Sequence, residues 1–106
     1  MMTIDQLKQI LERADDVTMM ENPVATLFKI VIDTVTLDVN NFGKRFYILD
    51  NDTRREIFET DNKDLELEFI EALQEESLKR VEAKDIQALD TLIDIIKVHT
   101  GVNLGE

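Results

Sequence analysis

A chain of 106 residues with 43% hydrophobic content has the size and composition of one globular domain, spanning 1–106 and able to build a modest core without staples. It contains no cysteine, which excludes a disulfide framework, a thiolate zinc site and a cysteine nucleophile. Twenty-three acids against twelve lysines and arginines give a net charge of −11, a field that repels phosphate backbones and anionic membranes and attracts basic protein surfaces.

Direct nucleic-acid binding and membrane association are therefore not expected. The opening residues lack a basic segment followed by an apolar run, and no stretch approaches the ~18 apolar residues of a membrane helix. A soluble, cytoplasmic protein is the expectation.

In chain order, Thr3 with Gln6 forms a capping box, and Ile4, Leu7, Leu11 and Ala14 fall at helical spacing, which predicts a first helix over 3–14. Residues 15–23 break the pattern and read as a connection, with Met19 and Met20 covering the core edge. The run VATLFKIVIDTVTLDV that follows Pro23 is rich in β-branched residues and argues for a strand. Asn22-Pro23 is also a good helix start, so a short helix within 23–34 stays open.

Asn40-Asn41-Phe42-Gly43 reads as a turn, KRFYILD as the returning strand, Asp50 to Thr53 as a second turn and RREIFET as a third strand. Asp61 or Asn62 then caps a helix running to about Val81. Lys84-Asp85 opens a last helix that ends at Gly101. The apolar positions of that last helix cover over half its circumference, which predicts the best-buried element. The expected fold is α+β, in the order αβββαα, with a three-stranded antiparallel meander packed against helices.

Catalytic groups are scarce. The one histidine, His99, lies in the last turn of the final helix, where its cationic form suits the helix C-terminus; it has no evident nucleophile beside it. Only Gly43, Gly101 and Gly105 are available, and none makes a phosphate loop. Asp50-Asn51-Asp52 starts like a calcium loop, but Arg54 occupies its fifth position, Arg55 stands where glycine is needed and Asp61 where a bidentate glutamate belongs. Glu82-Ala83-Lys84 matches an acid-x-lysine nuclease pair without the strand setting that chemistry needs. No metal, cofactor or enzymatic activity is expected.

The acids themselves carry the signal. Between Asp50 and Glu76 there are eleven acids and three bases, a net −8 in a quarter of the chain. Asp64, Glu68, Glu71 and Glu75 fall within about 60° of one another on a helix turning ~100° per residue. They span about 16 Å, over which one DNA strand carries about five phosphates. A solvated helix face, favoured near the N-terminus by the helix dipole, accounts for part of this pattern. Against it, carboxylates at i,i+4 repel by about 0.2–0.5 kcal/mol per pair, and no lysine is interspersed among them.

The helix TIDQLKQIL, the hairpin around NNFGKRFYILD and the segment LELEFIEAL, together with small size and acidity, resemble the phage-encoded type II-A anti-CRISPR proteins. The resemblance covers roughly residues 3–75 in pattern. The apolar last helix, IQALDTLIDIIKV, departs from it. The resemblance implies an inhibitor of a nucleic-acid-binding protein, some such inhibitors blocking the DNA groove of the Cas9 nuclease, with the Asp64–Glu75 stripe as the surface.

The expected function is thus a non-enzymatic acidic binding protein that occludes the basic nucleic-acid-binding surface of a protein partner. Asp64, Glu68, Glu71 and Glu75 are the expected contacts, supported by Asp50, Asp52, Glu56 and Glu59. The alternative is a small homo-oligomeric structural or assembly factor that uses its apolar C-terminal helix.

Overall fold

In the computed structural model, residues 2–100 are described, those from 96 to 100 by their backbone alone. The described residues fold as two helices and a five-stranded antiparallel sheet, an α+β architecture.

Helix α1 (Ile4–Arg13) opens on the capping box that the sequence predicts. The Thr3 hydroxyl accepts from the Gln6 backbone N–H at 3.2 Å, and the Gln6 side chain accepts from the Thr3 N–H at 2.8 Å. Two orphan donors of the first turn are satisfied in this way. Leu7 and Leu11, one turn apart, are the fully buried stripe of α1.

The sheet is a meander in the order β1 (Asp16–Met19), β2 (Thr26–Ile32), β3 (Val35–Phe42), β4 (Arg45–Asp50) and β5 (Glu56–Thr60). Three strands were expected, and two findings account for the difference. The segment read as a connection contains β1, whose Val17 is buried while Met19 is exposed. The β-branched run after Pro23 is a hairpin and not one strand: it turns at Asp33-Thr34, with Ile32 paired to Val35. Asp33 adopts φ of 52°, and its N–H donates to the Asp15 carboxylate at 2.7 Å. Aspartate tolerates this left-handed region better than most residues, which allows a tight turn without glycine. No part of 23–34 is helical.

The next turn is tighter than the expected Asn40–Gly43: Asn40, Asn41 and Phe42 belong to β3, and the chain turns at Gly43-Lys44, where Gly43 supplies φ of 66° and Phe42 pairs with Arg45 across it. In the β4–β5 turn, the Asp50 carboxylate accepts from the Asp52 N–H at 2.8 Å and the Thr53 N–H at 3.3 Å.

Alternation along the strands sends Val17, Phe28, Ile30, Val39, Phe46, Ile48 and Phe58 to one face of the sheet, where Leu7 and Leu11 of α1 and Phe69 and Leu73 of the second helix close the core. Phe69 stacks on Phe58 at 4.9 Å between ring centroids and meets Phe46 edge-on at 6.0 Å. The other sheet face carries no helix. Its central strand buries Asp38 and Asn40, whose cross-strand neighbours are Lys29 and Leu49, and Thr26 and Tyr47 respectively.

The second difference from expectation lies in α2 (Lys63–Thr100), one continuous helix of 38 residues where two were expected. At ~1.5 Å per residue it is about 57 Å long, which sets the 58 Å long dimension of the molecule. The expected C-cap at Gly101 and the side chains of Ile96, Val98 and His99 lie outside the described residues.

Candidate functional site

Helix α2 begins where Asn62 caps it: the Asn62 side-chain oxygen accepts from the N–H groups of Asp64 at 3.0 Å and Leu65 at 3.2 Å. The rotational setting of the helix is then fixed by its inner face. Phe69, Leu73 and Ser77 are buried against the sheet and α1, and Glu66 is buried with them. One Glu66 oxygen accepts from the Asn41 side chain at 2.7 Å and the other from Lys63 at 3.3 Å, so this carboxylate is structural.

With that face turned inward, Asp64, Glu68, Glu71 and Glu75 all point outward and are exposed. Among the described residues none of the four takes part in an ion pair. Of the bases beside them on α2, Lys63 pairs with Glu66 and Arg80 with Glu76, while Lys79 stands exposed one turn beyond Glu75 and, among the described residues, pairs with no acid. Glu68, Glu71 and Glu75 also line a cleft of about 290 Å³ between α2 and α1, whose opposite wall is Ile4 and Lys8.

The four acids expected to support this line are placed differently. Glu56 and Glu59 both bind the Arg45 guanidinium, which lies over the Tyr47 ring at 4.7 Å. The hydrogen bonds that Arg45 donates to Glu56 first and to Glu59 second hold it above its ordinary pKa. Since Phe46 faces the core, its neighbours Arg45 and Tyr47 belong to the helix-free face, and the two glutamates with them. Asp50 is half-buried and committed to its turn, and Asp52 is exposed at the turn tip. The eight acids therefore do not form one patch; the helix line of four stands by itself.

The last part of α2 departs most from expectation. Among the described residues the last hydrogen bonds from α2 to the rest of the fold come from Arg80, whose guanidinium donates to the carbonyls of Leu11 and Ala14, and from Lys84, which bonds Asp16 at 3.2 Å. From Val81 to Ile95 no described side chain is buried, and only Ile93 is partly covered. The segment expected to be the best-buried element is a projecting arm. The physical reason is continuity: a straight helix carried past the edge of a small sheet has none of the described residues opposite it.

The arm is nevertheless amphipathic. Leu78, Val81, Ile86, Leu89 and Leu92 lie on one side and each leave more than half of their surface exposed, and Lys84, Gln87, Asp90, Thr91 and Asp94 occupy the other side of the wheel, with Ile95 beside Lys84 at its edge. Covering the exposed half of one such side chain is worth roughly 1 kcal/mol. The stripe is not an extension of the core face, because Leu89 lies about 160° around the helix from Leu73. It extends the acidic line. Glu68, Glu75, Glu82 and Leu89 form one row at seven-residue spacing, drifting by ~20° per step. Asp64, Glu71, Leu78, Asp85 and Leu92 form the row beside it. One outward face of α2 is thus anionic over the sheet and becomes apolar along the arm.

Among the described residues no group of three or more histidine, cysteine, aspartate or glutamate side chains is arranged to hold a metal, and no helix is long and apolar enough to cross a membrane. No protein-family model matches the chain, and neither does any curated protein or solved structure.

Proposed function

We propose that this chain is a binding protein that works without catalysis, its α2 carboxylates occupying a basic surface on a protein that otherwise handles nucleic acid. The observation that supports this reading is the unpaired state of the line. Among the described residues, Asp64, Glu68, Glu71 and Glu75 stand exposed along one helix face without an ion pair, Lys63 and Arg80 being held by Glu66 and Glu76 and no base lying between Asp64 and Glu75. A helix folded for stability alone gains from lysine interspersed among such acids, at about 0.2–0.5 kcal/mol per i,i+4 pair.

On this reading the carboxylates take the place of backbone phosphates, steer the encounter and lose strength as salt screens them. The resemblance of residues 3–75 to type II-A anti-CRISPR proteins makes the DNA groove of a Cas9 nuclease the first target to test. The experiment is a titration of the chain into a Cas9–guide RNA complex carrying a labelled DNA duplex. The duplex should be released by the wild-type chain, and less readily by the Glu68→Lys, Glu71→Lys double variant. A nuclease that keeps its duplex at every concentration ends the Cas9 version. Equal release by the double variant ends the assignment to this helix face.

A second reading, a homo-oligomeric structural or assembly factor built on the C-terminal helix, draws on the exposed apolar arm. Analytical ultracentrifugation separates the two: a dimer that persists at high salt and dissociates on Leu89→Gln favours the assembly role.

A further inference from the structure

We infer that the outward face of α2 from Glu75 to the arm is a track for one amphipathic helix of the partner, with apolar side chains seated on the arm and basic side chains beside the acidic row. The inference rests on the basic-partner reading above and adds to it the form of the partner and a second, apolar half of the interface.

Three observations carry it. First, among the described residues no side chain from Asp85 to Ile95 is buried or hydrogen-bonded to another element, and an isolated helix of ~12–15 residues is marginal in water unless its apolar face is packed. The arm holds Ile86, Ile93 and Ile95, which are not strong helix formers, so a covering surface is what would keep it helical.

Second, the apolar positions have the form that a helix recognises. Ile86, Leu89 and Ile93 follow the alternating three- and four-residue spacing of a helix–helix seam, with Leu92 beside it. From Glu75 to Ile93 the face is about 27 Å long, the length of a helix of ~18 residues.

Third, the charges choose the occupant. Glu75, Glu82 and Asp85 lie on the same face as Leu78, Leu89 and Leu92, while Lys84 is drawn away to Asp16. A parallel second copy on this seam would place Asp85 of one chain beside Asp90 of the other, at the flanking positions where opposite charges are favoured, and would bring together two chains of net −11. Lysine or arginine at those flanking positions meets the acids instead. The occupant that fits is therefore an amphipathic helix with leucine-like anchors and basic flanks on another protein.

The test uses the full chain and three synthetic 21-residue peptides: leucine on one face with lysine flanks, the same composition scrambled, and the leucine face with glutamate flanks. Binding is read by fluorescence anisotropy at low and high salt. The lysine-flanked peptide should bind at least about tenfold more tightly than the other two. Leu89→Gln with Leu92→Gln, which keeps helix propensity, should weaken it about tenfold at both salt concentrations, whereas Glu75→Lys with Glu82→Lys should weaken it mainly at low salt. Circular dichroism of each variant checks that the helix content is retained.

Equal binding of the scrambled peptide, or indifference to the leucine pair, overturns the inference while leaving the acidic-face reading standing. Loss with the leucine pair alone, the glutamate pair being silent, overturns both. A chain that sediments as a dimer until Leu89 and Leu92 are changed makes a second copy the occupant and overturns the inference as well.

Discussion

Arg80 closes the C-terminus of α1: its guanidinium donates to the backbone carbonyls of Ala14 at 2.9 Å and Leu11 at 3.0 Å, while Glu76 holds its Nε at 3.0 Å. Carbonyls in the last turn of a helix lack intrahelical partners, and a planar cation that reaches two of them satisfies both. One turn further on, Lys84 bonds Asp16, the last such contact of α2 among the described residues.

Replacing Arg80 with methionine removes hydrogen bonds of a charged donor and leaves Glu76 without its partner. The expected loss of stability is about 2–3 kcal/mol, a fall in melting temperature on the order of 10 °C. Lysine should restore only part of it, since an ammonium does not reproduce the fork. Urea denaturation of the three proteins measures the difference, and a methionine variant as stable as wild type would show the contact to be ornamental.

The two halves of α2 should respond oppositely to truncation. Phe69 is fully buried between Phe46 and Phe58, so Phe69→Ala is expected to cost about 3–5 kcal/mol. Leu89 is more than half exposed, and Leu89→Ala should change the stability of the isolated chain by no more than about 0.5 kcal/mol. A large cost at Leu89 in dilute protein would mean that the arm is packed in solution.

Glu71 faces Glu68 and Glu75 at three- and four-residue spacing on an exposed surface. Glu71→Lys turns both repulsions into attractions, and about 0.5 kcal/mol of added stability is expected at low ionic strength, fading as salt is added. The same change should weaken binding to a basic surface. A variant both more stable and less able to bind is the signature of a face kept for recognition; a destabilised variant contradicts it.

Asp16 gives the fold a pH dependence of known sign. Burial pushes its carboxyl upward, but hydrogen bonds from Lys84 and Thr18, with the charge of Lys84, outweigh that and hold it below its ordinary 3.8. A carboxyl lowered by folding contributes stability that is present above its unfolded value and is lost as pH falls through the folded one. The stability difference between wild type and Asp16→Asn should therefore be level from neutral pH to about pH 5 and close below 3.8. Thermal melts of both proteins across that range provide the check; a gap unchanged at pH 2 contradicts the assignment.

Local chemistry made part of this fold legible. Thr3 and Gln6 mark the start of α1, Asn62 marks the start of α2, and Gly43 marks the β3–β4 turn, because each supplies a group that its backbone position needs. Two strands were missed for equally local reasons. The DVTM of β1 is too short to show a period, and the turn at Asp33-Thr34 lacks glycine, its positive φ being supported by Asp15 from elsewhere in the chain.

The division of α2 into two helices has a more instructive origin. Between Lys63 and Thr100 there is no glycine or proline, so nothing in the backbone stops the helix. What changes near Val81 is the face on which apolar residues lie, and that rotation imitates a boundary. The same rotation made the arm look like a buried element.

Composition and periodicity alone determined the acidity, the α+β class and the alignment of Asp64, Glu68, Glu71 and Glu75, since helical spacing puts those residues on one side whatever surrounds them. Only the tertiary structure decided that this side faces solvent, that Glu56 and Glu59 belong to the other face of the sheet, and that the apolar arm projects beyond it. Those outcomes depend on which surfaces meet. A sheet this small covers one face of α2 and ends before the helix does.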